Sequence, residues 1–140
     1  MTGRLFPFEF VVAETPRSFQ ARPKSVQRWM ALVSDAARSR VAEVVEQSWL
    51  DARPLALSVF YFPPAPMDGD IDNIIKPIMD ALAGIAYIDD REIERVVAQK
   101  FEPGLDWSFE RPSDILAAAL NVGAAVVYVR LDDDLAWRRN

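Results

Sequence analysis

The sequence predicts a single α/β domain (α+β-like), a small mixed β-sheet packed by helices in the order β-α-β-α-β-α-β. Three observations predict it. The chain has 140 residues, enough for one domain with a real core and too few for two. Its hydrophobic share is 51%, as in ordinary soluble globular chains. Short alternating segments rich in β-branched and aromatic residues take turns with segments whose apolar residues recur every three to four positions, the pattern that layers helices on a sheet.

Residues 6–13 alternate and predict a first strand. Positions 14–24 (ETPRSFQARPK) hold two prolines and three cations and read as a loop. Ser25 is the expected N-cap of a long helix reaching about Ser48. Its apolar face is Trp29, Leu32, Val33, Ala36, Val41, Val44 and Val45, with Arg28, Asp35, Arg38 and Glu46 elsewhere on the surface. Residues 54–62 (PLALSVFYF) form a second strand, stopped by PPAP. A helix over 72–83 follows and ends at Gly84. Pro77 falls near its first turn, where few backbone donors are missed. Residues 91–101 predict a third strand through Ile93, Val96 and Val97. Positions 102–112 are a loop in which Trp107 and Phe109 are either core or a stacking surface. Ser113 caps a short helix over 114–121, and 124–131 (AAVVYVRL) form the last strand. The charged residues 132–140 are expected to fray. No repeat, linker or low-complexity tract divides the chain, so residues 1–140 read as one unit.

Composition removes several kinds of chemistry. Without cysteine there is no disulfide framework, thiolate metal site or cysteine nucleophile. Without histidine there is no Ser-His-Asp triad, ordinary zinc site or histidine base. Catalysis at neutral pH then falls to carboxylates, lysine or a metal-activated water. No apolar run approaches the length of a membrane span, and the opening MTGRLFPFEFVVAE lacks the apolar core of a signal peptide. The default expectation is a cytoplasmic protein with no membrane partner.

The net charge of −5, taken whole, argues against a partner made of phosphate. Its distribution reverses that. Residues 1–40 carry seven cations against three acids, and residues 41–140 carry nine against eighteen. A basic first third and an acidic remainder can set a phosphate-binding surface beside a cation-binding pocket. Arg17, Arg22, Lys24 and Arg28 are the candidate grips on a phosphate backbone, although basic residues on a loop are also commonly just solvated.

The most informative stretch is residues 67–94, MDGDIDNIIKPIMDALAGIAYIDDREIE. Asp70 and Asp72 stand two apart at a helix start, Lys76 and Asp80 follow at helical spacing, and Asp89 with Asp90 closes the segment. Carboxylates crowded this closely repel one another unless a cation compensates. Oxygen-only ligands suit a hard divalent ion such as Mg²⁺ or Mn²⁺. In an extended approach, Asp70 and Asp72 point the same way, and Asp72, Lys76 and Asp80 share a helix face. A purely structural alternative makes Asp72 an N-cap, the lysine contacts surface pairs, and residues 68–70 a turn. A calcium loop starting at Asp68 fails, because Asn73 stands where glycine is needed and Met79 where glutamate is needed. Asp89 and Asp90 alone are also compatible with a plain turn.

DGDIDNIIKPIMDAL, Gly84 and YIDDREIERV together resemble the RusA family of Holliday junction resolvases, the crossover junction endodeoxyribonucleases. The close likeness covers about a quarter of the chain. The first strand, the TPRSFQ loop and the final VVYVRL strand are similar in layout only. The resemblance implies a Mg²⁺-dependent endonuclease, with Mn²⁺ as a substitute, that acts as a homodimer on four-way junctions in recombination and repair. It implies Asp70, Asp72 and Asp90 as metal ligands, with Asp89 as companion. Which of Asp89 and Asp90 faces the metal is left open, with Asp90 preferred. Lys76 would stabilise charge on phosphorus or the leaving oxygen, while Asn73 and Asp80 support the site. The overall acidity keeps a second expectation in view, a catalytically silent DNA-binding or regulatory protein on the same fold.

Overall fold

A computed structural model describes residues 6–17, 21–44, 53–67, 69, 71–104 and 107–135. In chain order the elements are β1 (Phe8–Val12), α1 (Pro23–Val44), β2 (Leu55–Phe62), α2 (Ile75–Leu82), β3 (Ile93–Lys100), α3 (Asp114–Leu120) and β4 (Val126–Asp132). Two 3₁₀ turns, Ile71–Ile74 and Asp90–Glu92, precede α2 and β3. The strands form one mixed four-stranded sheet in the order β1-β4-β2-β3. β4 runs antiparallel to both β1 and β2, whereas β2 and β3 are parallel. Parallel strands need a crossover, and here the crossover carries the whole acidic segment.

Alternation along the strands divides the core between two faces. Phe8, Phe10, Leu55, Leu57, Val59, Val127 and Val129 pack beneath α1 and α2, which contribute Trp29, Val33, Ala37, Val41, Ile75, Ile78 and Leu82. Phe62, Val126 and Tyr128 face the other way, against Leu116 and Ala119 of α3. β2 is buried on both faces, which explains its nearly unbroken apolar run. β3 is an edge strand, and its Val96 and Val97 are 44% and 40% exposed.

Several boundaries differ from expectation for physical reasons. Helix α1 begins at Pro23, not after Ser25, because proline is preorganised for a helical start and its missing donor costs nothing there. Residues 45–48, expected in that helix, lie outside the described residues. The second helix does not start at Asp72. A helix from there would ask Pro77 for a bond it cannot donate. Residues 71–74 instead form a 3₁₀ turn, and with α2 starting at Ile75 the proline falls in the first turn. Arg91 and Glu92, expected at the start of a strand, belong instead to a 3₁₀ turn, Asp90–Glu92, that leads into it. Ser113 caps α3 as expected, its hydroxyl accepting from Leu116 N–H at 3.1 Å. The frayed tail is corrected at its start. Asp132 belongs to β4 and pairs with Arg130 at 2.8 Å, and Asp133 reaches Arg53 at 2.8 Å. Residues 136–140 lie outside the described residues.

Candidate active site

The acidic segment is held at both ends. At its entry, Met67 N–H donates to Glu102 Oε2 at 2.6 Å, tying the loop after β2 to the end of β3. That bond, then Lys100, keeps the Glu102 carboxyl below its usual range. Gly69 follows with φ +87, a conformation that other residues adopt only with strain. Asp70, together with Asp68, lies outside the described residues. Asp72 stands exposed on the 3₁₀ turn and makes no ion pair among the described residues, while Ile74 two positions on is buried in the core.

α2 turns its apolar side inward through Ile75, Ile78, Ala81 and Leu82. Ser34 Oγ of α1 donates to Ala81 O at 2.9 Å and fixes the two helices together. Lys76 and Asp80 face outward, one helical turn apart. The chain then reverses at Gly84, φ +83, whose N–H donates to Tyr87 O at 2.7 Å. Tyr87 is fully buried and its hydroxyl donates to Met79 O at 2.6 Å. Burial pushes the phenol well above its ordinary value, and the charges of Asp90, Asp80, Glu92 and Asp89 push it the same way. This tyrosine pins the returning chain beneath α2, so that the second acidic pair comes back alongside the first helix turn.

The result is a cation between two carboxylates. Lys76 Nζ lies 2.8 Å from Asp80 Oδ1 and 2.9 Å from Asp90 Oδ2. Hydrogen bonds to Asp80 and then Asp90 raise the lysine above its usual range. The Lys76 contact, followed by a hydrogen bond with Asp89, holds the Asp90 carboxyl below the usual carboxylate range. The lysine side chain remains 56% exposed, so the pair is screened by water and stabilises the fold little. Its weight is geometric.

Asp89 does different work. Its Oδ1 accepts from Arg91 N–H at 3.3 Å, and Glu92 Oε1 accepts from the backbone N–H groups of Ile88 and Asp89 at 3.2 and 3.1 Å. This reciprocal capping box locks the turn that presents Asp90. The reading of the sequence overlooked Glu92, although D-x-x-E at 89–92 is a legible capping signature. Asp72, Lys76, Asp80, Asp89 and Asp90 thus lie on one crossover, and Asn73 follows Asp72 on the 3₁₀ turn.

The basic candidates occupy the loop after β1 and the first turns of α1. Arg17, Arg22, Lys24 and Arg28 are all exposed, and Arg28 approaches Glu14 at 3.6 Å. Arg17 lines the same groove as Asn73 and Gly69, which links it to the acidic segment. Trp107 and Phe109 join Phe60, Phe62 and Phe101 in an aromatic cluster against α3, with centroid spacings such as 5.2 Å for Phe101–Trp107. Trp107 nevertheless remains 41% exposed.

The family model for endodeoxyribonuclease RusA matches residues 17–105, more than half of the chain. The chain belongs to the RusA family. The matched span opens at Arg17, takes in the crossover and closes just beyond β3. Membership makes this RusA-family chain an endodeoxyribonuclease, a hydrolase of the Holliday-junction-resolving kind that acts on branched DNA. RusA resolvases generally depend on a divalent metal ion. No curated protein matches the chain. No helix among the described residues is long and apolar enough to cross a membrane.

The chemistry of the donors fits such an ion. With no histidine or cysteine in the chain, every anionic donor is a carboxylate, the preference of a hard cation. Among the described residues no three acidic side chains cluster closely enough to hold a metal, and Asp70 would have to join Asp72 and Asp90 to make a set of three.

Proposed function

We propose that this chain, residues 1–140 acting as one cytoplasmic domain, is a Mg²⁺-dependent resolvase of four-way DNA junctions in recombination and repair, with Mn²⁺ able to substitute. Asp70, Asp72 and Asp90 are the proposed metal ligands. The observation that carries this reading is the approach of Lys76 to Asp90, because it brings the two halves of the acidic segment to one place. When bound, the ion supplies a Lewis acid to the phosphodiester and lowers the pKa of the attacking water. Lys76 places a positive charge beside the carboxylates and neutralises charge that builds on the phosphate in the transition state. Asp80 holds the lysine from one helical turn away. Asn73 orients the phosphate or water by hydrogen bonding, and Asp89 with Glu92 fixes the turn that carries Asp90. Arg17, Arg22, Lys24 and Arg28 contact the DNA backbone.

A four-way junction offers two equivalent scissile strands, so a twofold homodimer would supply one site to each. Light scattering with junction DNA should give a protein mass twice the 15.8 kDa of the chain, and a monomer throughout would remove the dimer from this reading.

The test of function compares a synthetic four-way junction with a linear duplex of the same sequence, in Mg²⁺, Mn²⁺ or chelator. Paired cuts in the junction alone, dependent on either cation, are expected. A protein that binds the junction and cuts neither substrate in either metal would instead be the silent binding module.

A further inference from the structure

Beside the acidic segment runs a groove of about 650 Å³, lined by Thr15, Arg17, Tyr61, Pro64, Met67 and Asn73 among others. It opens where β2 ends at Phe62, next to the end of its parallel neighbour β3. Open α/β sheets commonly bind ligands beyond the carboxyl ends of parallel strands. The size is that of a small-molecule pocket. Its chemistry is divided as a nucleotide is divided. Pro64 and Pro66 offer exposed flat apolar surface, Arg17 offers a cation, and Asn73 offers an amide with both donor and acceptor.

Two neighbouring details sharpen this. Tyr61 is 4% exposed and closes the floor of the groove. Arg17 also lines an adjoining hollow with Ser25, Arg28 and the Glu14 that Arg28 approaches at 3.6 Å, so its cation stands where two hollows meet. The exposed aromatic edge at Trp107 is the competing place for a base. The hollow there is lined by Phe62, Phe101, Trp107 and their apolar neighbours, with no charged side chain among the described residues that line it.

We propose that the groove is a nucleotide subsite. It takes one unstacked nucleotide of the strand that carries the scissile phosphate, its base against Pro64 and Pro66 and its phosphate toward Arg17. Branch-point nucleotides are the natural occupants, since a base already poorly stacked is cheapest to extrude. The subsite rests on the junction-nuclease reading for its substrate, and it adds a means of choosing where along the junction the cut falls.

Photo-crosslinking tests it. Four-way junctions carry 5-iododeoxyuridine at one position at a time across the branch point, and Ca²⁺ replaces Mg²⁺ so that the DNA stays intact. Mass spectrometry then locates the attachment in wild type, in Ala65→Trp, which fills the groove from an exposed loop position, and in Arg17→Gln. The expected result is attachment within residues 63–67 from one or two positions only. That yield should fall at least tenfold in Ala65→Trp, while the total junction bound by this variant changes less than threefold, and severalfold in Arg17→Gln when compared at equal amounts of bound junction. Attachment at Trp107 or Phe109, attachment spread evenly over all positions, or a yield unchanged in both variants would overturn the subsite. Cleavage in Mg²⁺ without groove attachment sinks the subsite alone, whereas groove attachment without cleavage in any metal sinks the nuclease reading alone.

Discussion

The ammonium of Lys76 lies 2.9 Å from a carboxylate oxygen of Asp90, 14 residues further along the chain. Helical spacing brings Lys76 to Asp80. Only the reversal at Gly84, the buried Tyr87 and the capped turn at 89–92 bring it to Asp90. The contact therefore reports whether the crossover is correctly folded, and it joins the charges that the proposed chemistry uses.

Removing that contact should be visible in the partner. In Lys76→Ala the Asp90 carboxyl should titrate closer to its ordinary value, because its largest depressing influence is gone. Carbon-detected NMR of the aspartates reads this directly. Single-turnover junction cleavage at saturating protein should fall by roughly a hundredfold. Lys76→Arg should rescue partly at most, since its charge is differently placed. An Asp90 titration that does not move, with a rate within threefold of wild type, would return Lys76 to an ordinary surface pair.

Glu92 should matter through position. Glu92→Ala removes the acceptor for two backbone donors and should cost about 1 kcal/mol of stability, as lost helix caps do. It should also raise the Mg²⁺ concentration needed for half-maximal cleavage, because Asp90 is no longer held. Glu92→Gln can still complete a capping box and should restore most of both. Equal behaviour of the two variants in urea unfolding and Mg²⁺ titration would remove the positioning role.

Alkaline pH tests the other face of the sheet. The Tyr128 hydroxyl donates to Glu9, which also accepts from Ser113. Burial, and then the hydrogen bond to Glu9, push the phenol up to about 12. A group raised above its unfolded value contributes stability that is complete below that value, near 10, and is lost as pH rises through the folded one. Wild-type stability should therefore decline between about pH 10 and 12 by something on the order of 2 kcal/mol from this group. Tyr128→Phe should be less stable at neutral pH and show a shallower alkaline decline. Parallel urea midpoints for both proteins across that range would contradict the assignment.

DNA affinity should depend steeply on salt. Four backbone contacts from Arg17, Arg22, Lys24 and Arg28 would give a log–log slope of roughly −3 to −4 per subunit. Removing Arg22 and Lys24 together should lower it by about two, as fluorescence anisotropy at several salt concentrations can measure. An unchanged slope would place the DNA elsewhere.

Much of this was legible in the sequence where the cause is local. The apolar run of β2, the apolar face of α1 and the Ser113 cap follow from neighbours in the chain. The start of α2 was also local, but it turned on weighing Pro77 against Asp72, and the proline prevails because a missing donor inside a helix cannot be replaced. What stayed hidden depends on distant partners. Nothing near Asp133 announces Arg53, and nothing near Trp107 announces Phe62 and Phe101. That Val96 and Val97 are exposed was hidden too, because exposure depends on which strand ends the sheet. In the candidate site the residue types and order were readable, whereas the approach of Asp90 to Lys76 required the reversal at Gly84 and Tyr87.

The most direct measurement is single-turnover cleavage of a four-way junction in Mg²⁺ by Asp70→Asn, Asp72→Asn and Asp90→Asn. Each keeps the shape of the side chain and removes the charge that a divalent ion needs. The account predicts folded proteins that bind the junction and do not cut it, with stability in the absence of metal level or slightly raised as repulsion is relieved. Two of the three cutting at the wild-type rate would contradict it.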